Sequence, residues 1–303
     1  RKWQLASIHL GSDPAQVQSN SLLRPMAELT VTGLCIRWAP VNDAESFSIG
    51  GPGIYAALGA RLVNAVPTLG LRLGIDVSHR ELVFITRLGS LSSEIERVEQ
   101  ANLLWQGPIL LDQTRVGMAV GEPTSMSPAQ LPGSDGWLTV ANLDPSAILS
   151  AVGLWTGPVA VDCYEPWIRF RPKSSIALAS RADVLFLTER ELAAFPGNAQ
   201  RFILEAKDRF VVLKKGSRGV SLYHNGHERQ LPAPTPLVIR SDLGAGDLLL
   251  GLLSGHLAGA SGPNDALTID NLEEAYFTVR PWLSELLSAS HPIEFLARHE
   301  YLA

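Results

Sequence analysis

Asp247 closes the run Ser241-Asp242-Leu243-Gly244-Ala245-Gly246-Asp247, and an apolar helical stretch, Leu248-Leu249-Leu250-Gly251-Leu252-Leu253, follows it directly. Two glycines and an alanine let the backbone approach a ligand closely while they open a helix. The unsatisfied N–H groups of a first helical turn and the positive end of the helix dipole then face one point, which suits a phosphoryl group. A carboxylate at Asp247 can take the proton of an attacking hydroxyl while Gly244, Ala245 and Gly246 donate hydrogen bonds to charge developing on the group in transit. A plainer reading of the same residues is a tight turn permitted by Gly244 and Gly246, with Asp247 complementing the dipole.

Such a turn needs a frame, and the chain supplies one. Short β-rich runs at 29–38, 71–75, 82–88, 137–143, 158–163, 184–187 and 210–213 alternate with helical patterns, which predicts a layered α/β fold. Val159-Ala160-Val161, Val184-Leu185-Phe186-Leu187 and Val211-Val212-Leu213 show no polar alternation, as expected of parallel strands covered on both faces at the centre of a sheet. Residues 220–224 and 227–231, joined by Asn225-Gly226, read as a hairpin on an antiparallel edge, because Asn-Gly supplies the positive φ angles of a type I′ turn. The stretch 248–260 is interrupted by Gly251, Ser254, Gly255 and His256 and is too short to cross a bilayer, so a buried helix is expected. Two stretches look like additions: residues 1–28, an N-terminal extension, and 106–135, where strands at 109–111 and 116–120 precede Pro123, Pro128, Pro132 and Gly133 in the manner of a lid. Residues 29–303 are expected to form one domain.

Composition narrows the function classes. With 303 residues, 46% apolar and 18% charged, the chain can bury a large core and is neither disordered nor low-complexity. Its 25 Lys and Arg against 30 Asp and Glu form no basic stripe, so nucleic acid is not expected as a partner. Cys35 and Cys163 stand in no CxxC pairing and read as buried thiols of a reducing compartment. The first residues meet Gln4, Ser7 and His9 too soon for a secretory signal, so a cytoplasmic protein without membrane contact is expected. A homodimer is compatible with the sequence but not specified by it. His224 and His227 flank the Asn-Gly turn without a third ligand nearby, and the remaining histidines stand alone. Ser93-Glu94-Ile95-Glu96 reads as a capping box, and no Gly-x-Ser-x-Gly elbow points to a hydrolase.

Gly-Ala-Gly-Asp opening an apolar helix in the C-terminal third resembles the signature of the PfkB carbohydrate kinases, the ribokinase superfamily. Further segments resemble that family in order and spacing. Ile49-Gly50-Gly51-Pro52-Gly53-Ile54-Tyr55 is similar to its glycine pair and pocket helix, and Val159-Ala160-Val161-Asp162 to a strand ending in Asp. Residues 184–192 are similar to its Asn-x-x-Glu magnesium segment, and residues 211–219 to its nucleotide-binding strand and loop. The resemblance runs over about residues 29–260. It implies a ribokinase-like three-layer α/β/α sandwich with a mostly parallel central sheet and a small β lid. The implied activity is an ATP- and Mg2+-dependent kinase whose acceptor is the hydroxyl of a small molecule such as a sugar or nucleoside. Carried over by position, Asp247 is the base, with Gly244, Ala245 and Gly246 as the anion hole. Lys214, Gly216, Ser217 and Gly219 border the nucleotide, Trp38, Gly50, Gly51 and Tyr55 line the substrate pocket, and Glu191 places Mg2+ through water.

Several positions depart from the family pattern. Trp38 stands where a sugar-binding Asp is usual, Pro52 where Lys is usual, Tyr55 where Asn is frequent and Thr188 where Asn is commoner. Tyr164 and Pro166 follow Asp162 in place of an Asn and an Arg. An aromatic pair at Trp38 and Tyr55 can stack on a flat ring or serve as core. Thr188-Glu189-Arg190-Glu191 is also a capping box. The glycine-pair segment resembles the branch that includes fungal killer-virus maintenance proteins, which names no substrate. Two alternatives remain: a ribokinase-like protein that binds nucleotide without phosphotransfer, and a dinucleotide oxidoreductase, since Gly51-Pro52-Gly53-Ile54-Tyr55-Ala56 fits Gly-x-Gly-x-x-Ala.

Overall fold

A computed structural model describes residues 28–39, 48–74, 76–91, 97–98, 103–106, 118–120, 131, 135–235, 239–240, 242–260, 267–289, 295 and 298–299. Residues 1–27 of the expected N-terminal extension, the capping box at Ser93, and residues 107–117, 121–130 and 132–134 of the lid window lie outside them.

Seven parallel strands make the body of a nine-stranded sheet: β1 (Leu29–Gly33), β4 (Thr68–Leu71), β6 (Ser90–Leu91), β10 (Trp137–Ala141), β11 (Val159–Asp162), β12 (Val184–Thr188) and β13 (Phe210–Lys214). The hairpin β14 (Val220–His224) and β15 (His227–Leu231) adds the antiparallel edge expected of Asn225-Gly226, whose φ angles are 51° and 75°. The order β15-β14-β13-β12-β11-β10-β1-β4-β6 places β1 and β10 side by side, although the chain leaves β1 toward β4 and returns on its other side at β10. Winding reverses there, and in open α/β sheets the crevice beyond the carboxyl ends of strands at such a reversal is the favoured ligand site. Register brings Gly33 opposite Ala141, Ala141 opposite Asp162, and Thr188 opposite Lys214, so the strand ends that carry candidate residues line one edge.

Helices cover both faces. Alternate residues of single strands divide between two apolar clusters: Phe186 and Val212 pack with α1 (Pro52–Leu62), α2 (His79–Leu88), α8 (Ala245–Ala260) and α9 (Ile269–Ser288). Leu185, Leu187 and Val211 pack with α3 (Pro145–Leu154), α4 (Glu165–Phe170), α5 (Pro172–Ala179), α6 (Glu189–Ala194) and α7 (Gly197–Leu204). That two-sided burial is the reason the central runs carry no polar alternation. The expected buried helix is α8.

A four-stranded sheet, in the order β3-β2-β8-β9, joins β2 (Ile36–Ala39), β3 (Ser48–Gly50), β8 (Leu103–Gln106) and β9 (Met118–Val120). Only its last strand and the end of β8 fall in the expected lid window. Its strand β2 comes from a run read as one element: 29–38 divides at Leu34 and Cys35 into β1 and β2, which lie in different sheets. The run 71–75 divides as well, between β4 and β5 (Leu73–Gly74), the latter paired with β7 (Arg97–Val98). Residues 82–88, expected as strand, are helix α2. Ser78 and Glu81 form a capping box ahead of it, and Ile85 and Leu88 recur at helical spacing on its buried side.

The α1–α8 contact tolerates no side chain where the helices cross. A Cβ on Gly251 would lie 1.9 Å from the carbonyl oxygen of Ala56, and one on Gly59 would lie 2.5 Å from that of Leu248. Gly251→Ala is expected to destabilise the fold by about 3 kcal/mol in chemical denaturation, the cost of overpacking a closed core. Gly153→Ala, in α3 with open space around the new methyl, is expected to stabilise it by about 0.5 kcal/mol.

Candidate active site

The site is assembled from the opening of α8 and the carboxyl ends of β10, β11 and β13. Gly244 has φ +78°, and a Cβ there would sit 3.0 Å from three ring atoms of Tyr55, so both backbone and space require glycine. Its carbonyl accepts the N–H of Leu248 at 2.8 Å, which starts the helix, while the Ala245 N–H turns back to the Asp242 carbonyl at 3.2 Å. On Gly246 a Cβ would meet the Lys214 Nζ at 3.0 Å, so an ammonium lies directly against the first turn of α8.

Lys214 is bound at its other side by Asp162, with Nζ 2.8 Å from Oδ1 and 2.5 Å from Oδ2. The Asp162 side chain is buried, and that of Lys214 is 12% exposed. Burial alone would pull the ammonium down, but the carboxylates of Asp162, Glu191 and Asp247 outweigh it and hold Lys214 up at about 12. Burial pushes the Asp162 carboxyl up from its ordinary 3.8; Lys214 opposes the rise, and Glu191 and Asp247 reinforce it. Asp162 thus pairs with the Lys214 ammonium, and the charges of Glu191 and Asp247 act on it as well. Glu191 also fulfils the capping box: Thr188 N–H donates to its Oε2 at 2.6 Å, and its own N–H donates to Thr188 Oγ1 at 3.2 Å. Cap and cluster share this one side chain.

Asp247 is held by a residue the sequence did not single out. Asn142, one step past β10, donates from Nδ2 to Asp247 Oδ1 at 2.9 Å. The remaining candidates separate by location. Gly50 ends β3 and Gly51, at φ +99°, caps α1, whose second residue, Gly53, donates its N–H to Leu34 O at 3.0 Å. Tyr55 is fully buried beneath Gly244; burial and the Asp247 carboxylate both push its hydroxyl up, and the oxygen has no protein partner. Trp38 lies on β2 of the smaller sheet. Gly216 and Ser217 form a 3-10 turn after Lys215, with open space around Gly216 at φ +59°. At Gly219, φ +85°, a Cβ would strike the Leu231 carbonyl at 2.1 Å, so this glycine is fixed by the hairpin.

Other sequence motifs resolve. The strand before Gly51 is the three-residue β3, antiparallel to β2 in the smaller sheet, so the dinucleotide fingerprint lacks the central parallel strand it needs. His224 stacks on Phe210 at 4.2 Å and its Nδ1 faces the Arg209 carbonyl, as part of the hairpin. Cys35 and Cys163 are buried free thiols. Among the described residues no group of three His, Cys, Asp or Glu is placed to hold a metal ion, and no helix is long and apolar enough to cross a membrane.

Solved structures decide the architecture. Fructokinase from Vibrio cholerae O395, with fructose, ADP and a calcium ion bound, matches with TM-score 0.72 at 15% identity over 91% of this chain and 98% of its own. The chain has the ribokinase-like fold. Aminoimidazole riboside kinase from Salmonella enterica, complexed with aminoimidazole riboside and an ATP analog, matches with TM-score 0.69 at 16% identity, covering 91% of this chain and all of its own. A nucleoside kinase from Methanocaldococcus jannaschii, an archaeal member of the ribokinase family, matches with TM-score 0.69 at 15% identity over 90% and 99%. No family model matches the sequence, and no curated protein matches it. None of these three neighbours bears on the killer-virus maintenance branch. At these identities they fix the ribokinase-like fold and leave each residue's role to the geometry.

Lys214→Met keeps the bulk of the side chain and leaves Asp162 buried without its cation. A stability loss of about 3 kcal/mol is expected once pH is high enough to ionise Asp162 in the parent chain. The folded-state pKa of Asp162 is raised, to about 8 with Lys214 present, and removing the ammonium raises it further. A raised carboxyl contributes stability that is fully present below its unfolded value and lost as pH climbs toward the folded one. Denaturation from pH 6 to 10 should therefore show the variant keeping pace with the parent chain at first and losing stability relative to it as pH rises through about 8.

Proposed function

We propose that the chain is an ATP-dependent kinase that transfers the γ-phosphoryl group to a hydroxyl of a small molecule. The observation that carries this reading is the meeting of Asp247, the glycine-flanked opening of α8 and the Lys214 ammonium at the β1/β10 reversal. In the reaction the acceptor oxygen forms a bond to the γ-phosphorus, the bond to the β–γ bridging oxygen breaks, and ADP departs. The acceptor proton passes to Asp247. Gly244 and Gly246 present no side chain, and Ala245 only a methyl group, to the phosphoryl group, and the helix dipole and Lys214 oppose its negative charge.

Gly216, Ser217 and Gly219 follow Lys214 along the chain and are assigned to the nucleotide. Gly50 and Gly51, beside the start of α1, are assigned to the acceptor. Trp38 on the smaller sheet joins them, and Tyr55 acts by supporting Gly244 from below. Carboxylate oxygens are ligands of the kind hard divalent cations take, and Mg2+ bound with nucleotide is usually held through few protein groups and several waters. Glu191 fits that indirect role through the part of its carboxylate that the cap leaves. Bound Mg2+ would supply positive charge to the phosphates. The neighbours' fructose and aminoimidazole riboside make sugar and nucleoside hydroxyls the first acceptors to test.

A binder without phosphotransfer is the second reading, favoured by the hold of Asp162 on Lys214 and by the departures at Trp38, Pro52, Tyr55 and Thr188. Thermal shift with ATP and Mg2+, ATP alone and NAD, followed by γ-phosphoryl transfer to sugars, nucleosides and hydroxylated aromatics, separates the two. Stabilisation by ATP with transfer to a panel member supports the kinase; no response to ATP overturns both readings. Asp247→Asn is expected to lower turnover by about 1,000-fold while ATP affinity stays within a few-fold, because the amide keeps the shape but not the base. Undiminished turnover would remove Asp247 from the mechanism.

A further inference from the structure

Three described residues other than glycine have positive φ: Asn64, Asn142 and Asn225. Asn225 belongs to the hairpin turn, and Asn64 follows the end of α1, where a left-handed residue commonly terminates a helix. Asn142 has neither excuse. It stands between the end of β10 and Asp144, the N-cap of α3, at φ +56°. Its N–H donates to the Asp162 carbonyl at 3.1 Å, so the backbone there is tied to the neighbouring strand. Its side chain is committed as well: Nδ2 donates to Asp247 Oδ1 at 2.9 Å, and Oδ1 is buried with no protein partner. Turning the amide over would set its oxygen against a carboxylate, which only accepts. A strained backbone and an unpaired buried acceptor at one residue are costs that call for a compensating role.

We infer that Asn142 is a positioning residue: it fixes the Asp247 carboxylate at the β1/β10 reversal and favours its ionised, proton-accepting form. The inference rests on the kinase reading for its consequence in turnover. A hydrogen bond donated to a carboxylate favours the charged state, and the effect matters here because the other charged or titratable groups acting on Asp247 are mixed. Lys214 on β13 attracts it, while Asp162 on β11 opposes its ionisation and Tyr55 on α1 lies close by. Asn142 is a neutral donor that steadies Asp247 without adding charge to the place where phosphate would bind.

Asn142→Gly isolates this role, since glycine accepts the positive φ and removes only the amide. The variant should fold with thermal stability within a few degrees of the parent's, because relief of the backbone at positive φ offsets part of the lost hydrogen bond to Asp247. With ATP and Mg2+ and an acceptor panel of fructose, ribose and adenosine, kcat should fall about 100-fold, as for a slightly misplaced catalytic group, with KM for ATP within about twofold. The acid limb of kcat/KM should move to higher pH, and further still in Asn142→Asp, which places a second carboxylate beside the base. A stable Asn142→Gly with the parent's kcat and pH profile overturns the inference while leaving the kinase reading intact. If the parent chain transfers phosphate to no acceptor and hydrolyses no ATP, the kinase reading falls instead. The positioning role is then decided by the 13C carboxyl resonance of Asp247, assigned with Asp247→Asn. Titration at higher pH in Asn142→Gly supports the inference, and an unchanged titration overturns it.

Discussion

The close approach of α1 and α8 is the constraint on which the site depends. Besides the contacts at Gly59 and Gly251, a Cβ on Gly255 would come within 2.8 Å of the Ala60 Cα, so small residues line the seam from one turn to the next. Two helices held at that distance bring their N-termini to the same crevice. Tyr55 can then support Gly244, while a Cβ on Gly33 would lie 2.6 Å from the Gly53 Cα, which seats α1 directly on β1. Any widening of the seam would move Asp247 and Gly246 away from the strand ends that carry Asn142, Asp162 and Lys214.

The sheet supplies the other half of the geometry. Parallel strands end their carboxyl termini at one edge, and the register of β10, β11, β12 and β13 turns that edge into a row of side chains facing α8. Bringing three carboxylates and one ammonium together there, with Asp162 buried and the others partly so, is expensive unless each is paired or hydrogen-bonded. The fold meets that condition locally: Lys214 takes both oxygens of Asp162, Thr188 holds Glu191, and Asn142 holds Asp247. The apolar layers on both faces of the sheet keep those partners fixed.

Features written within a few residues were legible in the sequence. The uninterrupted apolar runs gave the central parallel strands, Asn225-Gly226 gave the hairpin, and the Gly244 to Asp247 turn followed by leucines gave the start of α8. Thr188 and Glu191 announced a cap that the structure contains. Residues 82–88 misled because Val83, Phe84, Ile85 and Thr86 favour strands, whereas the helical spacing of the run and the Ser78–Glu81 box outweigh that preference. The division of 29–38 carried no mark, since Leu34 and Cys35 are as apolar as the strands they separate. The pairs that define the site were equally silent: Lys214 meets Asp162 across 52 positions and Asp247 meets Asn142 across 105. Only the strand order and register bring such residues together.

Charge balance in this cluster bears on how an anionic ligand could enter it. Asp162, Glu191 and Asp247 face one Lys214, so the named side chains are acidic on balance before any phosphate arrives. A polyphosphate approaching the opening of α8 meets the helix dipole and the ammonium, both favourable, and the carboxylates behind them, which are not. Proton uptake by Asp162, whose carboxyl burial already pushes up, lowers the repulsion. An accompanying divalent cation lowers it further, and this is the physical ground for coupling nucleotide to Mg2+ in the proposed function. Lys214 can serve that function only by turning part of its charge from Asp162 to phosphate. Its place against Gly246, where no side chain intervenes, lets it do so with little movement.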